Sequence, residues 1–385
     1  MSTITVNFRL RLAWVAKMAW LLLLAAAASE PEESAAYRLP SAACGYSPLL
    51  GAVLNPPRAF AERAGRFCDL LYRGGATAAD IREEKIRGSS QGGRNIHVAI
   101  PGREARAGIL LFGAHLDAHP GSAGAIDNWS GAVMLASLYA YCRLRVFRHT
   151  LVFVGFGDEE IGLAGAEDFF DRRQREGGAL RAMINLECLG AGPPVLWANR
   201  SSDRLENIFM RAARAAQTPL RRQILFGYQT DSFVFARAGI PTLTIHSLSP
   251  PLLSLINSPY DTPELLRMRW YRAAFRLLTE AVHLLDQEDG EFPTDDSEGK
   301  LRPLRAALVE GVRAESGILR IHDLPRDSAE WRSGLRPGDI LLAISDTTVR
   351  HTGDLMGILL TSWRGCRMPL LVMRQQQTFV VEVSY

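Results

Sequence analysis

The sequence predicts an α/β fold, with a largely parallel central sheet flanked by helices and a second, small, mainly β domain. Strand-like apolar runs alternate with helical patterns between residues 95 and 285, which is typical of parallel strands joined by helical crossovers. The composition then changes at residues 286–300, a polar stretch rich in Asp, Glu and Gly that is typical of a linker. Because 385 residues exceed one ordinary domain, we expect two domains.

The predicted elements of the first domain follow one another in regular order. An amphipathic helix between residues 57 and 84 has Phe60, Ala64 and Phe67 at helical spacing. After it, short apolar runs closed by turn residues predict strands, and longer segments with apolar residues three to four positions apart predict helices. The strands are expected at residues 95–100, 109–112, 151–156, 182–186 and 242–245, and the helices at residues 129–141, 163–175, 202–216, 232–238 and 263–285.

The first 29 residues have the pattern of a secretory signal peptide. Arg9, Arg11 and Lys17 precede an apolar run at residues 18–28, and its last residues, Ala26, Ala27 and Ala28, suit signal cleavage. We therefore expect an exported protein, periplasmic or secreted, or one anchored in the membrane if the signal is not cut. The predicted boundaries are residues 1–29 for the signal, 30–287 for the first domain, 288–303 for the linker and 304–385 for the second domain.

Net charge excludes no enzyme class but gives no reason to expect a nucleic-acid partner. The 44 basic residues nearly balance the 41 acidic ones, and they are scattered along the chain rather than clustered. The function must therefore be sought in particular residues.

Residues 113–131, GAHLDAHPGSAGAIDNWSG, collect side chains that can bind a metal. A predicted buried strand delivers His115 and Asp117 at its carboxyl end, where ligands bind in open α/β sheets. Asp117 lies two residues from His115, so its carboxylate can orient the imidazole, and Asp127 follows a loop of small residues as a second candidate ligand. An isolated H-x-D is more often a polar loop with an incidental histidine, so the metal-site interpretation depends on the strands that follow.

Two further predicted strands end in carboxylates. In GFGDEEIG, adjacent carboxylates point in different directions on an extended chain, so Glu160 can bind a metal while Glu159 handles protons. The next strand ends at Glu187, and burying this carboxylate beside Leu186 and Cys188 would be unfavourable without a cation partner. Three successive strands thus end in oxygen or nitrogen donors, which indicates a shared metal site rather than solvated acidic turns.

The order of these motifs resembles a known family. H-x-D, D-N-x-S-G, D-E-E-x-G, N-L-E and S-P-Y-D-T, spread over residues 96–286, resemble the co-catalytic zinc aminopeptidases, typified by secreted leucyl aminopeptidases and aminopeptidase Y. The resemblance implies a zinc exopeptidase fold, one or two Zn2+ ions, and peptide or protein substrates. It also implies the residue roles: His115, Asp127 and Glu160 would hold one ion, Asp127 and Glu187 would hold the other, and Glu159 would be the general base.

The chain departs from this family at two ligand positions. The family usually has aspartate where Glu187 stands, and glutamate is also an oxygen ligand. The last family ligand is a histidine, whereas Asn257 in NSPYDT occupies that position here, and a neutral amide is a poor zinc ligand. His246, just after the strand at residues 242–245, is an alternative source of a nitrogen ligand.

The second domain is expected to contain strands at residues 318–321, 340–344, 370–373 and 380–383 and a helix at residues 354–361. Its stretch SAEWRSGLRPGDILLAISDTTV resembles the bacterial PDZ pattern. That resemblance implies binding of a peptide C-terminus or an added strand at a sheet edge. The alternative is that the domain only packs against the first one.

These observations predict a zinc-dependent exopeptidase, and an aminopeptidase in particular, in which Glu159 accepts a proton from metal-activated water. Because Asn257 would weaken the second metal site, a non-catalytic peptide-binding protein on a peptidase scaffold is the alternative. A single-zinc acyltransferase similar to glutaminyl cyclases is a further alternative, although those enzymes also use the late histidine that this chain lacks.

Overall fold

The computed structural model describes residues 47–89, 92–177, 179–198, 201–223, 225, 228–288, 308–315, 318–344, 347–350, 352–360 and 367–384. The predicted signal segment lies outside these ranges, and so does the predicted linker apart from residue 288. The domain boundaries drawn from the sequence therefore remain predictions.

The first sheet has eight strands within the described residues. They are β1 (Arg82–Lys85), β2 (Arg94–Ile100), β3 (Ile109–His115), β4 (Thr150–Phe156), β5 (Leu180–Leu186), β6 (Val195–Trp197), β7 (Arg221–Gln223) and β8 (Thr242–His246). Their order in the sheet is β1-β2-β4-β3-β5-β8-β6-β7. The central strands β4, β3, β5 and β8 are mutually parallel, whereas β2 and β6 join the sheet antiparallel. The prediction of a largely parallel sheet is confirmed.

Strand β3 shows why the centre of the sheet is apolar on both faces. Successive side chains of a strand point to opposite faces. Leu110 and Phe112 accordingly pack into one apolar core and Leu111 into another, and all three are fully buried. A continuous apolar run of this kind is expected where helices cover a sheet on both sides.

The helices of this domain form two layers. They are α1 (Ser47–Leu50), α2 (Phe60–Arg73), α3 (Ser130–Cys142), α4 (Ala164–Glu176), α5 (Asp203–Ala215), α6 (Ser232–Arg237), α7 (Pro250–Leu253) and α8 (Met268–Gln287). Residues of α2, α3, α5 and α8 pack into the larger core, whereas those of α4 and α6 pack into the smaller core on the other face. Helix α3 is apolar all round, as its almost complete burial requires.

Several elements differ from the sequence prediction: strand β6 was not expected, and the helix expected between residues 57 and 84 spans only Phe60–Arg73. The short strands β1 and β7 were not expected, because REEK and RRQ carry no apolar alternation and β1 is mostly exposed at the sheet edge. The last helix was expected from residue 263 but begins at Met268, because Pro263–Leu265 forms a separate 3-10 turn and Arg267 is extended. The short strands and the start of the last helix thus depend on contacts with other segments rather than on the local sequence pattern.

The second domain is a separate antiparallel sheet with its own core. Its elements are α9 (Leu308–Gly311), β9 (Val312–Glu315), β10 (Ile318–Ile321), α10 (Ala329–Arg332), β11 (Ile340–Ile344), β12 (Thr347–Thr348), α11 (Thr352–Leu360), β13 (Arg367–Arg374) and β14 (Gln377–Ser384). The strand order is β14-β13-β11-β10-β9, with β12 paired to β11, and Leu319, Leu341 and Leu370 are in the core. In neither domain does a described helix combine the length and the apolar character needed to cross a membrane.

Candidate active site

Three adjacent parallel strands bring the predicted site residues to one edge of the sheet. His115 is the last residue of β3, Glu187 directly follows β5, and Glu159 and Glu160 follow shortly after β4. Since β4, β3 and β5 lie side by side and parallel, their carboxyl ends meet at the same edge. The topology therefore assembles side chains that are far apart in sequence.

His115, Asp127 and Glu187 form a buried group that we call the inner set. The His115 Nε2 atom lies 3.0 Å from Asp127 Oδ1 and 3.4 Å from Glu187 Oε1. The three residues are 1%, 7% and 4% exposed, respectively. Their ligand atoms lie within 4.8 Å of one another, so one ion could contact all three.

Asp127, Glu160 and Asn257 form a second group that we call the outer set. With the Asn257 amide oriented to satisfy its hydrogen bonds, its nitrogen donates to Asp127 Oδ2 over 3.1 Å and to Glu160 Oε1 over 3.3 Å. Asp127 therefore faces the inner set with one carboxylate oxygen and the outer set with the other. The family resemblance placed Glu160 with His115 and Asp127; because ligand atoms of His115 and Glu160 also lie within 4.8 Å of one another, that assignment stays a prediction.

Glu159 lies close to a member of each set. Its carboxylate, that of Glu160 and the His115 imidazole present ligand-capable atoms within 4.8 Å of one another. The two adjacent glutamates therefore reach the same cluster, and Glu160 also faces Asn257. The structure brings all the predicted metal-binding residues and Glu159 together.

Asp117 connects two of the segments that carry the site. The His115 Nδ1 atom lies 3.2 Å from the Asp117 backbone oxygen and 3.5 Å from its Oδ1 atom, while the Glu160 backbone N–H donates to Asp117 Oδ2 over 3.0 Å. Burial would raise the pKa of Asp117, but the interactions with His115 and these backbone N–H groups outweigh it and lower that pKa. Asp117 thus stays ionised where it can orient the imidazole, as the sequence suggested.

The loop that carries Asp127 is held by two buried side chains from distant segments. Arg63 in α2 donates to the backbone carbonyls of Pro57, Leu116, Ala123 and Gly124. A side chain on Gly124 would place its Cβ 2.4 Å from the Arg63 guanidinium, and its φ of +59° also favours glycine.

At the other end of the loop, Asp261 accepts hydrogen bonds from the Ile126 and Asp127 backbone N–H groups over 2.7 and 3.1 Å. Burial raises the pKa of Asp261 to about 6, although these two N–H groups act in the opposite direction. The position of the Asp127 carboxylate is therefore set from both ends of its loop.

Crowding of carboxylates perturbs the acid–base behaviour of the cluster. Burial, with Asp231 and Glu187 nearby, holds the pKa of Glu159 well above its ordinary range, and burial together with Asp127 raises the pKa of Glu160 to about 7. Burial would lower the pKa of His115, but Glu159 and Glu187 outweigh it and raise that pKa well above its ordinary range. Strong mutual perturbation of this kind is typical of functional sites.

The donor set fits a zinc ion. Both carboxylate oxygens of Asp231 are buried without a hydrogen-bond partner, and burial and Glu187 raise the pKa of this residue well above its ordinary range. Unpartnered buried acids beside other acids are costly unless a cation balances them. An imidazole with carboxylate oxygens is a donor set that zinc binds in proteins.

His246, the alternative nitrogen ligand, is in neither of the groups of described residues whose ligand atoms lie close enough to share an ion. Its Nδ1 atom accepts a hydrogen bond from the Leu248 backbone N–H over 3.0 Å, and its ring packs edge-on against Trp197 with a centroid distance of 5.9 Å. Burial lowers the pKa of His246 to about 3, so it is neutral. The contacts of Nδ1 and of the ring are those of a structural histidine, while Nε2 is buried without a hydrogen-bond partner among the described residues.

Sequence reasoning missed two of the residues that position the site. Arg63 lies on an amphipathic helix, and its only sequence signal was that it occupies the apolar face beside Ala64 and Phe67. Asp261 belonged to the S-P-Y-D-T motif, but nothing in the sequence showed that its carboxylate would bind the backbone of residues 126–127. Both depend on contacts between residues that are far apart along the chain.

Comparison with known proteins shows which family the segment that carries this site resembles. The model of Peptidase family M28 matches residues 95–282, which include the site residues from His115 to Asp261. This segment is therefore similar to Peptidase family M28, in line with the resemblance to zinc peptidases that its motifs showed. Arg63 lies outside the matched segment.

Curated relatives share this segment. The vacuolar membrane protease of Lachancea thermotolerans is 31% identical over 152 residues, which are 38% of this chain and 16% of that protein. The vacuolar membrane protease of Saccharomyces cerevisiae strain S288c is 33% identical over 121 residues, 31% of this chain and 12% of that protein. The alignments thus span about a sixth or less of the length of these relatives.

Solved structures share the fold at low sequence identity. The LapA aminopeptidase of Legionella pneumophila superposes with a TM-score of 0.55 at 16% identity, over 68% of this chain and 78% of that chain. A Zn-dependent exopeptidase of Parabacteroides distasonis superposes with a TM-score of 0.51 at 15% identity, over 64% of this chain and 97% of that chain. A glutaminyl cyclase of an Acidobacteriales bacterium superposes with a TM-score of 0.53 at 19% identity, over 67% of this chain and 99% of that chain. These likenesses confirm the predicted fold class.

The curated relatives correct the predicted location. The sequence led us to expect an exported protein, periplasmic or secreted, but the matching relatives are named for the vacuolar membrane of yeasts. The prediction of export is therefore wrong. It depended on a charged and apolar pattern in residues 1–29, and such a pattern does not by itself identify the membrane that a chain reaches.

Proposed function

We propose that this chain is a zinc-dependent exopeptidase, and specifically an aminopeptidase. The observation that carries the proposal is the placement of Glu159 beside a buried histidine–carboxylate group at the carboxyl edge of the sheet. Support also comes from the family match, from the zinc exopeptidase that shares the fold and from the aminopeptidase that does so.

The proposed roles divide between binding and proton transfer. His115, Asp127 and Glu187 would hold a zinc ion, which would supply the Lewis acidity that makes water acidic and polarises a peptide carbonyl. Glu159 would accept the proton of the attacking water and return it to the leaving amine. Asp117 would act as a positioning residue, because it contacts His115 and the Glu160 backbone.

The charge of the site favours substrates with a free amino terminus. The cluster is made of carboxylates, which attract a substrate ammonium group and repel a terminal carboxylate. Arg63, whose positive charge acts on Asp117, Asp127 and Glu160, is fully buried and donates to backbone carbonyls. It therefore cannot bind the carboxyl terminus of a substrate, as a carboxypeptidase would require.

Hydrolysis of aminoacyl p-nitroanilides by the zinc-loaded full chain tests this function. We expect turnover by the wild type, a loss of at least about 100-fold in Glu159→Gln because the proton acceptor is removed, and no change in Glu62→Gln, which neutralises an exposed carboxylate on α2. N-acetylation of the substrate should abolish cleavage. Equal rates on acetylated and free substrates would contradict the aminopeptidase assignment, and no turnover with any divalent metal would favour a non-catalytic peptide-binding protein.

The second domain is proposed to bind extended peptides in the PDZ manner. Strand β9 is an edge strand of its sheet within the described residues, and added peptide strands pair with such edges. Fluorescence anisotropy with a peptide that has a free C-terminus, against the same peptide amidated, tests the proposal. Absence of binding to either peptide would leave packing as the role of this domain.

A further inference from the structure

We propose that the centre binds one divalent metal ion tightly, at the inner set, and that the Asn257 amide takes the place of a second ion at the outer set. The inference rests on the proposed zinc-dependent function and concerns the number of ions and the role of Asn257. It follows from two differences between the inner and outer sets.

The first difference is chemical. The inner set offers an imidazole nitrogen and two carboxylates, whereas the outer set offers two carboxylates and an amide, and it shares Asp127 with the inner set. A metal ligand must present a lone pair. When the Asn257 amide is oriented to satisfy its hydrogen bonds, the nitrogen that faces Asp127 and Glu160 presents two N–H donors instead. In this orientation Asn257 satisfies both carboxylates by hydrogen bonding and contributes nothing to a metal.

The second difference is burial. His115, Asp127 and Glu187 are at most 7% exposed, so their carboxylates gain strongly from a bound cation. Asn257 is exposed, and Glu160 is only half-buried. Water can therefore solvate Glu160, the one outer carboxylate that the inner set does not share, and the need of the outer set for a second ion is smaller.

The opposite amide orientation defines the competing outcome. It would point the Asn257 oxygen at Asp127 and Glu160, and three facing oxygens are stable only with a cation between them. A site made of oxygens alone favours Mg2+, Ca2+ or Mn2+ over zinc. The two orientations thus predict different numbers of ions and different metals.

Position 257 allows a clean comparison of variants. Its backbone φ of +59° lies in the left-handed region, where asparagine, aspartate and histidine are the side chains that occur most readily apart from glycine. Asn257→His can therefore add an imidazole without a change of backbone. Asn257→Ala removes the amide and adds no ligand.

The experiment counts ions rather than turnover. The full chain is stripped with a chelator and titrated with Zn2+ in competition with a chromophoric indicator, and the metal content after gel filtration is measured by elemental analysis. We expect one tight ion in the wild type and in Asn257→Ala, with a second zinc at least about 100-fold weaker, and two ions in Asn257→His, whose second site is strengthened by about 10- to 100-fold. Circular dichroism establishes that each variant is folded.

Three results would overturn the inference. They are two tight zinc ions in the wild type, one zinc together with one tightly bound Mn2+, Mg2+ or Ca2+, and a folded Asn257→His variant that still holds a single ion. Failure of the proposed function looks different. A wild type that binds one zinc but hydrolyses no aminoacyl p-nitroanilide would refute the peptidase activity and support the single-ion inference. A wild type that hydrolyses the substrate and binds two tight zinc ions would support the activity and refute the single-ion inference.

Discussion

Replacing Arg63 tests whether a buried guanidinium holds the loop that carries Asp127. The side chain is fully buried and donates to Pro57 O over 2.9 Å, Ala123 O over 2.6 Å and Gly124 O over 2.9 Å, with a longer contact of 3.4 Å to Leu116 O. Burial lowers the pKa of Arg63, while Asp261 and Asp117 act in the opposite direction, so the charge is costly to bury but well placed among acids.

The size of the effect follows from these contacts. In Arg63→Met the three short bonds are lost, and each charged hydrogen bond contributes about 1.5–3 kcal/mol before relief of the buried charge is counted. Removing one partner of a buried charged network commonly costs about 3–5 kcal/mol in total, and we expect a loss within that range. Arg63→Lys keeps the charge but not the forked geometry, so it should fall between wild type and Arg63→Met.

Urea unfolding followed by tryptophan fluorescence measures this loss, with Arg66→Met as the matched control. Arg66 lies on the same helix but is exposed, so its substitution should change the free energy of unfolding by no more than about 0.5 kcal/mol. Because the loop carries Asp127, Arg63→Met should also weaken zinc binding by about 10- to 100-fold in the indicator titration. The reasoning is refuted if Arg63→Met unfolds at the same urea concentration as Arg66→Met and binds zinc as the wild type does.

Three further predictions concern stability. Burial lowers the pKa of His246 to about 3 in the folded protein, against an ordinary value of 6.5. Between these pH values the unfolded chain binds the proton more strongly than the folded protein does, so the stability that is present above pH 6.5 is lost as the pH falls. At pH 5 the loss of unfolding free energy is about 2 kcal/mol, and urea unfolding should show a smaller loss in His246→Asn than in the wild type. An equal loss in the two proteins would contradict this prediction. Tyr271→Phe removes the hydrogen bond to Ser130 O and should cost about 1 kcal/mol in urea unfolding with unchanged hydrolysis; a loss of activity would mean that α8 reaches the site. Free Zn2+ at 100 times its dissociation constant should stabilise the wild type by about 2.7 kcal/mol but not His115→Ala, and an equal rise in melting temperature for both would place the metal elsewhere.

The chemical identity of the site could be predicted because its residues follow local patterns. His115, Glu159, Glu160 and Glu187 each come at or shortly after the end of an apolar strand, and parallel strands share one carboxyl edge. The division into inner and outer sets could not be predicted, because it depends on which oxygen of Asp127 faces each neighbour. The orientation of the Asp127 carboxylate is set by packing between strands and loops.

The amino-acid sequence by itself determined the class of fold, the edge of the sheet at which function would lie, and the residues able to bind a metal there, since apolar periodicity and residue chemistry are local properties. Only the tertiary structure decided that Arg63 and Asp261 fix the Asp127 loop and that His246 packs against Trp197. It also decided that the Asn257 side chain faces two carboxylates. The physical reason is that these contacts join residues from distant segments, and their energies depend on burial and direction that no local pattern contains.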